Sequence, residues 1–221
     1  RAAVADILDR GLLPVLVGGS GLYVRAVLDD LDFPGTDQDL RSRLEDELAV
    51  LGAPALHQRL TDLDPAAARA ILPSNGRRLV RALEVIALTG RPFTASLPVP
   101  RPVYPAIQIG LDRTDLDARI DQRVDLMWQG GLVEEVRGLL RQGLADGRTA
   151  SRALGYQQVL DLLAGNRTEQ EARDATRQAT RRFARRQRSW FRRDTRLVWL
   201  DAARLDLVEQ AVHTAGHRIT R

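Results

Sequence analysis

The chain has 221 residues, a formal net charge of +4 and 44% hydrophobic residues, which describes a globular protein with one or two cores and excludes a disordered chain. It contains no cysteine, which excludes disulfides, thiol catalysis and cysteine-ligated zinc. It also contains no lysine, which excludes Schiff-base chemistry and a phosphate-loop lysine within these residues.

All 33 basic residues are therefore arginine. From Arg173 to Arg196 there are ten Arg and two Asp, a local charge of +8 that leaves −4 for the rest. A basic block on an otherwise acidic chain implies a polyanionic partner. The lack of cysteine fits a reducing cytoplasm, and no apolar run approaches the ~20 residues of a membrane span. His57, His213 and His217 are scattered and suggest no metal site.

In chain order, the first residue is not Met and the pattern opens mid-helix, so an upstream portion is expected. Ala2 to Arg10 predicts a helix stopped by Gly11. Leu13 to Val17 (LPVLV) is a continuous apolar run suited to a strand buried on both faces of a parallel sheet. Gly18-Gly19-Ser20-Gly21 then turns, and Leu22 to Leu28 continues as a helix, the order of an α/β unit.

From Thr36 to about Gly90 every segment is helical in pattern, with Asp64 and Asn75 as N-caps, Pro65 in a first turn and Gly90 as a stop. A Pro-rich stretch, Arg91 to Pro105, reads as an extended connector. Ala106 to Leu111 alternates like a strand. Leu116, Ile120, Val124 and Met127 fall at helical spacing, as do Leu132, Val136, Leu139 and Leu140. A loop through Arg152 opens a further helix, a long helix follows from about Thr168 to Arg192, and Arg196 to Asp201 closes as a strand. The fold class expected is α/β with a parallel sheet. Residues 1–34 and 99–221 form a discontinuous core domain, and 35–98 form an all-helical insertion.

Three features carry candidate chemistry. Glycines let backbone amides approach an anion at a helix start, and Ser20 adds a hydroxyl donor. On the long helix, Ala172, Ala175, Ala179, Phe183 and Trp190 predict an apolar seam, while Arg177, Arg181, Arg185, Arg188 and Arg192 form a stripe on a different face. Few acids on that helix neutralise the stripe, which reads as a rail for a nucleic-acid backbone. Gln187 falls on the seam side, where an apolar residue is expected. A second basic knot, Arg77, Arg78 and Arg81, lies opposite Leu79, Ala82, Leu83 and Ile86. Third, Arg152 precedes Gly155 and Tyr156 in a loop and suits a phosphate clamp.

LPVLVGGSGLYVRAVL, NGRRLVRALEVIALTGRP, SRALGYQQ and TRRFARRQRSWFRR occur together in this order and spacing in one family. The chain closely resembles the tRNA isopentenyltransferase family, the bacterial tRNA dimethylallyltransferases, from Arg1 to about Leu200. The resemblance implies a P-loop-NTPase-like core with a parallel sheet and an inserted helical domain that touches tRNA. It implies transfer of a dimethylallyl group from dimethylallyl diphosphate, with Mg²⁺ on the diphosphate, to N6 of the adenosine 3′ of the anticodon. The tRNAs implied are those reading codons that begin with U.

Within that resemblance Ser20 matches a Thr whose hydroxyl bonds the diphosphate, flanked by Gly18, Gly19 and Gly21, and Arg152 matches an Arg that neutralises it. Arg77, Arg78, Leu79, Val80 and Arg81, with Arg177, Thr180, Arg181, Arg185 and Gln187, match stretches that contact tRNA. Ser replaces Thr at position 20, keeping the hydroxyl but losing the methyl that steadies its rotamer. The family's phosphate-loop lysine and its general-base Asp match nothing in these residues, so the chain by itself is expected to be inactive. The alternatives are an isopentenyltransferase acting on free adenine nucleotides and a non-catalytic RNA-binding protein. A monomer without membrane attachment is expected.

Overall fold

The computed structural model describes every residue except Asp32, residues 95–97, Arg148 and residues 220–221, together with the side chains of 217–219. Part of the expected connector and the side chain of His217 thus lie outside the described residues. The elements run α1 (Ala2–Asp9), α2 (Gly21–Leu28), α3 (Gln38–Leu63), α4 (Pro65–Ala70), α5 (Gly76–Thr89), β1 (Gln108–Asp112), α6 (Leu116–Gln129), α7 (Leu132–Leu140), α8 (Tyr156–Leu163), α9 (Glu169–Phe191), β2 (Leu197–Asp201) and α10 (Leu207–Ile219). They form two units, residues 1–24 with 105–221, and residues 25–104.

In the unit of residues 25–104, local chemistry sets the helix ends. Asp37 accepts from the amides of Asp39 and Leu40 ahead of α3, Asp64 from Ala67 ahead of α4, and Asn75 from Arg78 ahead of α5. Each satisfies amide groups that the first turn leaves without an intrahelical partner. Gly90 ends α5 in the left-handed conformation. Gly52, at φ 78°, breaks α3 two residues before Pro54. Leu44, Leu56, Leu60, Ile71, Leu79 and Leu83 make the core between these helices.

The same unit encloses a carboxylate. Glu84 is fully buried, and Arg41 and Arg81 both donate to it. The Asp37 amide donates to Oε1 at 3.3 Å. Arg81 also donates to the carbonyls of Pro34 (2.6 Å) and Gly35 (3.0 Å). Burial pushes the Glu84 carboxyl up, but the hydrogen bonds and charges of the two guanidiniums outweigh it and hold it below the usual range. One side-chain cluster thus joins α5, α3 and the segment that leads into α3.

In the other unit, β1 and β2 pair in parallel over five residue pairs, from Gln108 opposite Leu197 to Asp112 opposite Asp201. Gly110 lies opposite Trp199, and a Cβ there would come within 2.8 Å of the indole, so the ring lies close over the glycine backbone. The core joins α6 (Ile120, Val124, Trp128), α7 (Leu132, Val136), α8 (Val159) and α9 (Ala172). Thr168 opens α9 with a capping box, its hydroxyl accepting from the Glu171 amide while the Glu171 carboxylate accepts from the Thr168 amide.

Two expectations are corrected. Leu13 to Val17 is not a strand: Leu13, Val15 and Val17 are 70%, 78% and 88% exposed. A strand exists only by pairing, and the two described strands pair with each other. The apolar seam of α9 is also narrower than expected. Ala172, Thr176 and Ala179 are buried, whereas Phe183 and Trp190 are exposed at 43% and 36%.

Candidate functional site

The turn from Gly18 to Gly21 leads directly into α2, and the Ser20 carbonyl accepts from the Val24 amide at 2.9 Å. Gly18, Gly19 and Ser20 are exposed and Gly21 is buried. Helix α9 seats this turn. The Gln187 amide donates to the Gly19 carbonyl at 2.9 Å. A Cβ on Gly19 would meet the Gln187 nitrogen at 2.3 Å, and one on Gly21 would meet the Trp190 indole nitrogen at 1.8 Å. The close approach of α9 thus favours glycine at both positions, and Ser20 is exposed ahead of a helix start. Gln187 replaces an apolar seam residue because a backbone carbonyl, not a side chain, faces it.

These contacts predict unequal costs. Gly21→Ala forces the indole aside and destabilises by about 1–3 kcal/mol, the range for an overpacked site. Gly19→Ala meets only the flexible end of Gln187 and costs about 1 kcal/mol, one lost hydrogen bond. Thermal denaturation of the two variants checks the order; equal stability would mean that α9 does not hold the turn.

Arg152 ends a short 3₁₀ turn, Ala150–Arg152, and is exposed. Its loop is braced on both sides. The Ser151 hydroxyl donates to the Gly147 carbonyl, and the Gly155 amide donates to the Gln158 side chain at 2.9 Å. Tyr156 donates to Glu135, which raises the phenol's pKa. Gly155 sits at φ 94°, a conformation that favours glycine.

The arginine stripe of α9 faces α6. Arg177 pairs with Asp125 and Asp174, Arg181 with Asp121, and Arg185 stands 4.0 Å from Asp117. Arg188 and Arg192 both reach Asp112, at 2.6 and 3.1 Å. Four residues along α9 match four residues back along α6, an antiparallel ladder of ion pairs. Arg173 continues it over the Trp128 ring at 5.6 Å. Burial opposes the charge of Arg177, yet its two carboxylate partners hold its pKa above the ordinary value. At Asp112 burial pushes the pKa up, but the Arg113 amide, Arg188 and Arg192 bring it below the usual range.

Sequence reasoning sought neutralising acids on the same helix and so missed this partner. The signal was present: Asp117, Asp121 and Asp125 repeat every four residues, the period of Arg177, Arg181 and Arg185. Thr180 is also engaged, its hydroxyl donating to the Thr176 carbonyl at 2.8 Å.

A cavity of about 560 Å³ opens at the carboxyl ends of β1 and β2, lined among others by Asp112, Asp117, Arg185, Arg188, Arg192 and Trp199. Ser20 and Arg152 do not line it. In the other unit, Arg77 and Arg78 are exposed at the start of α5, while Leu79 and Val80 are core residues at 0% and 3% exposure. A ligand meeting this stretch touches arginines or backbone, because the Leu79 and Val80 side chains point inward.

Among the described residues no helix is long and apolar enough to cross a membrane. A family model described as IPP transferase matches residues 1–194. The tRNA dimethylallyltransferase of Salinispora tropica is 64% identical over 214 residues, 96% of this chain and 67% of the relative. This chain spans about two thirds of the length of such curated relatives. The crystal structure of the tRNA isopentenylpyrophosphate transferase of Bacillus halodurans is 38% identical, with a TM-score of 0.64, over 99% of this chain and 71% of that one. A structure of a eukaryotic dimethylallyltransferase acting on tRNA is 22% identical, with a TM-score of 0.77 over 99% of this chain and 60% of that one, and shares its fold.

Proposed function

This chain belongs to the IPP transferase family, and from that premise we propose that it carries the diphosphate- and RNA-contacting parts of a tRNA prenyltransferase. Its fold is the P-loop-like α/β architecture of the tRNA prenyltransferases, helix-rich with a small parallel sheet. The reaction moves a dimethylallyl group from dimethylallyl diphosphate to N6 of the adenosine 3′ of the anticodon, in tRNAs reading codons that begin with U. The observation that carries this reading is the seating of the glycine-hydroxyl turn on the arginine-rich helix through Gln187 and Trp190.

In the reaction, the bond from the allylic carbon to the diphosphate oxygen breaks, a bond from N6 to that carbon forms, and N6 loses a proton. An adenine amine is a poor nucleophile, so catalysis rests on stabilising the departing charge and on placing N6. Ser20, the amides beside Gly19 and Gly21, and Arg152 serve the leaving diphosphate. The proton leaves to a base outside the residues assigned here. Mg²⁺ is the cation that a diphosphate brings, and the Ser20 hydroxyl is a hard oxygen of the kind it accepts. Among the described residues no group of three or more His, Cys, Asp or Glu forms a metal cage. The Ser20 hydroxyl would help to hold a Mg²⁺ that arrives with the diphosphate, and the ion would supply charge neutralisation for the leaving group.

The target base must leave its stack to be modified, so the protein grips the RNA around it. Exposed Arg77, Arg78 and Arg185 suit that contact, with Arg177, Thr180, Arg181 and Gln187 behind the surface. Residues 35–98 are assigned as the tRNA-contacting insertion, residues 1–34 and 99–221 as the core, and the protein as a cytoplasmic monomer.

The test gives the intact gene product that carries this chain two acceptors, AMP and an anticodon stem-loop RNA. Prenylation of the stem-loop with little of AMP is expected. Preferential prenylation of AMP would assign the chain to the isopentenyltransferases of free nucleotides, and RNA binding without transfer to either would make it a binding protein.

A further inference from the structure

The carboxylates of α6 have no part in the chemistry just described, yet they occupy the guanidiniums that a polyanion would use. We propose that Asp117, Asp121 and Asp125 are selectivity residues, which hold the α9 arginines closed to loose polyanions and release them only to a folded RNA. This rests on the RNA-contacting role proposed above.

Two observations carry it. First, the pairing is in register: Arg177, Arg181 and Arg185 meet Asp125, Asp121 and Asp117 in turn, with rungs about 6 Å apart along the helix. An intramolecular carboxylate at each rung is a standing competitor for any phosphate. Second, the rungs are graded. The Arg177 and Arg181 side chains are 19% and 31% exposed and in close contact with their partners. Arg185 and Asp117 are 61% and 60% exposed and 4.0 Å apart. An arriving phosphate therefore meets the open rung first, beside the cavity lined by Arg185, Arg188 and Arg192.

Opening successive rungs costs an ion pair each time. A rigid stem presents several fixed phosphates at once and offsets that cost together. A flexible single strand must also be ordered, and so gains less. Removing a carboxylate then helps the loose polymer more than the folded one.

The experiment measures affinity for two probes, an anticodon stem-loop RNA and single-stranded oligo-uridylate, across a salt series. The proteins are the parent chain, Asp117→Asn, Asp117→Glu and Asp121→Asn. Asp117→Asn is expected to bind oligo-uridylate about two- to fivefold more tightly, the range set by the strength of an exposed ion pair. Its salt slope for oligo-uridylate should steepen by about 0.7, one more phosphate contact on a single strand. Stem-loop affinity should change by less than half of that factor, and Asp117→Glu should restore the parent's preference. A purely structural ladder would move stability and leave preference and slope alone. If Asp121→Asn fails to fold, the solvent-exposed Asp117 variants decide the matter. A parent that prefers the stem-loop, with Asp117→Asn unchanged in preference and slope, overturns the selectivity role alone. A parent that shows no preference overturns the RNA reading and the selectivity role with it.

Discussion

Replacing Arg152 with alanine is expected to lower turnover of the intact enzyme about 100- to 1,000-fold, the usual cost of one donor aimed at developing charge. The diphosphate gains negative charge as the allylic carbon departs, so a guanidinium beside it stabilises the transition state more than the bound substrate. Stem-loop affinity should be nearly unchanged, because Arg152 belongs to a short 3₁₀ turn and to neither arginine-rich helix. Arg152→Lys keeps the charge but loses the two-pronged geometry, and recovers only part of the rate. Single-turnover rates measured beside RNA affinity check this. Unchanged turnover in Arg152→Ala would remove the residue from the site.

Glu84→Ala destabilises the helical unit by about 3 kcal/mol, the low end for breaking a buried ion cluster. The low end applies because Arg41 and Arg81 are 31% and 28% exposed and regain water when their partner is lost. The damage spreads from α5 to α3 and the segment ahead of it, since Arg81 also holds the Pro34 and Gly35 carbonyls. With two units in the chain, one global melting curve mixes their transitions, so amide hydrogen exchange across residues 37–89 is the better measure. Faster exchange confined to this unit is expected; a loss below about 1 kcal/mol would contradict a structural role.

The same cluster sets a pH dependence. The folded pKa of Glu84 lies below its unfolded value, so its stabilisation is complete above about pH 5 and is lost as pH falls through the folded value. The exchange of this unit in the parent should quicken under acid. In Glu84→Gln that acid response should be largely gone.

Arg81 connects stability with recognition. In sequence it belongs with Arg77 and Arg78 as an RNA-facing residue, but its guanidinium is committed to Glu84 and two carbonyls. Arg77→Ala is therefore the cleaner probe of RNA contact in α5, since Arg77 is exposed. An Arg81→Ala variant combines any lost contact with a loosened insertion.

What the sequence made legible was local. Asp64, Asn75 and Gly90 sit where capping chemistry places them, because a cap needs only the amides of its own first turn or the carbonyls of its last. The long arginine helix and both strands of the parallel pair followed from periodicity. What escaped depended on distant partners. Leu13 to Val17 has strand composition, but a strand needs a neighbour that composition cannot supply. The arginine stripe looked free because its counter-charges lie about sixty residues away on α6. Gln187 looked misplaced until the Gly19 carbonyl was seen against it.

Central to this account is one diphosphate held from two sides, by the Ser20 turn and by Arg152. A crystal structure with inorganic diphosphate bound tests it most directly. The account predicts the Ser20 hydroxyl and the Arg152 guanidinium both within about 2.6–3.2 Å of oxygens on the same diphosphate. A diphosphate that touches one of them while the other faces a separate surface would contradict it.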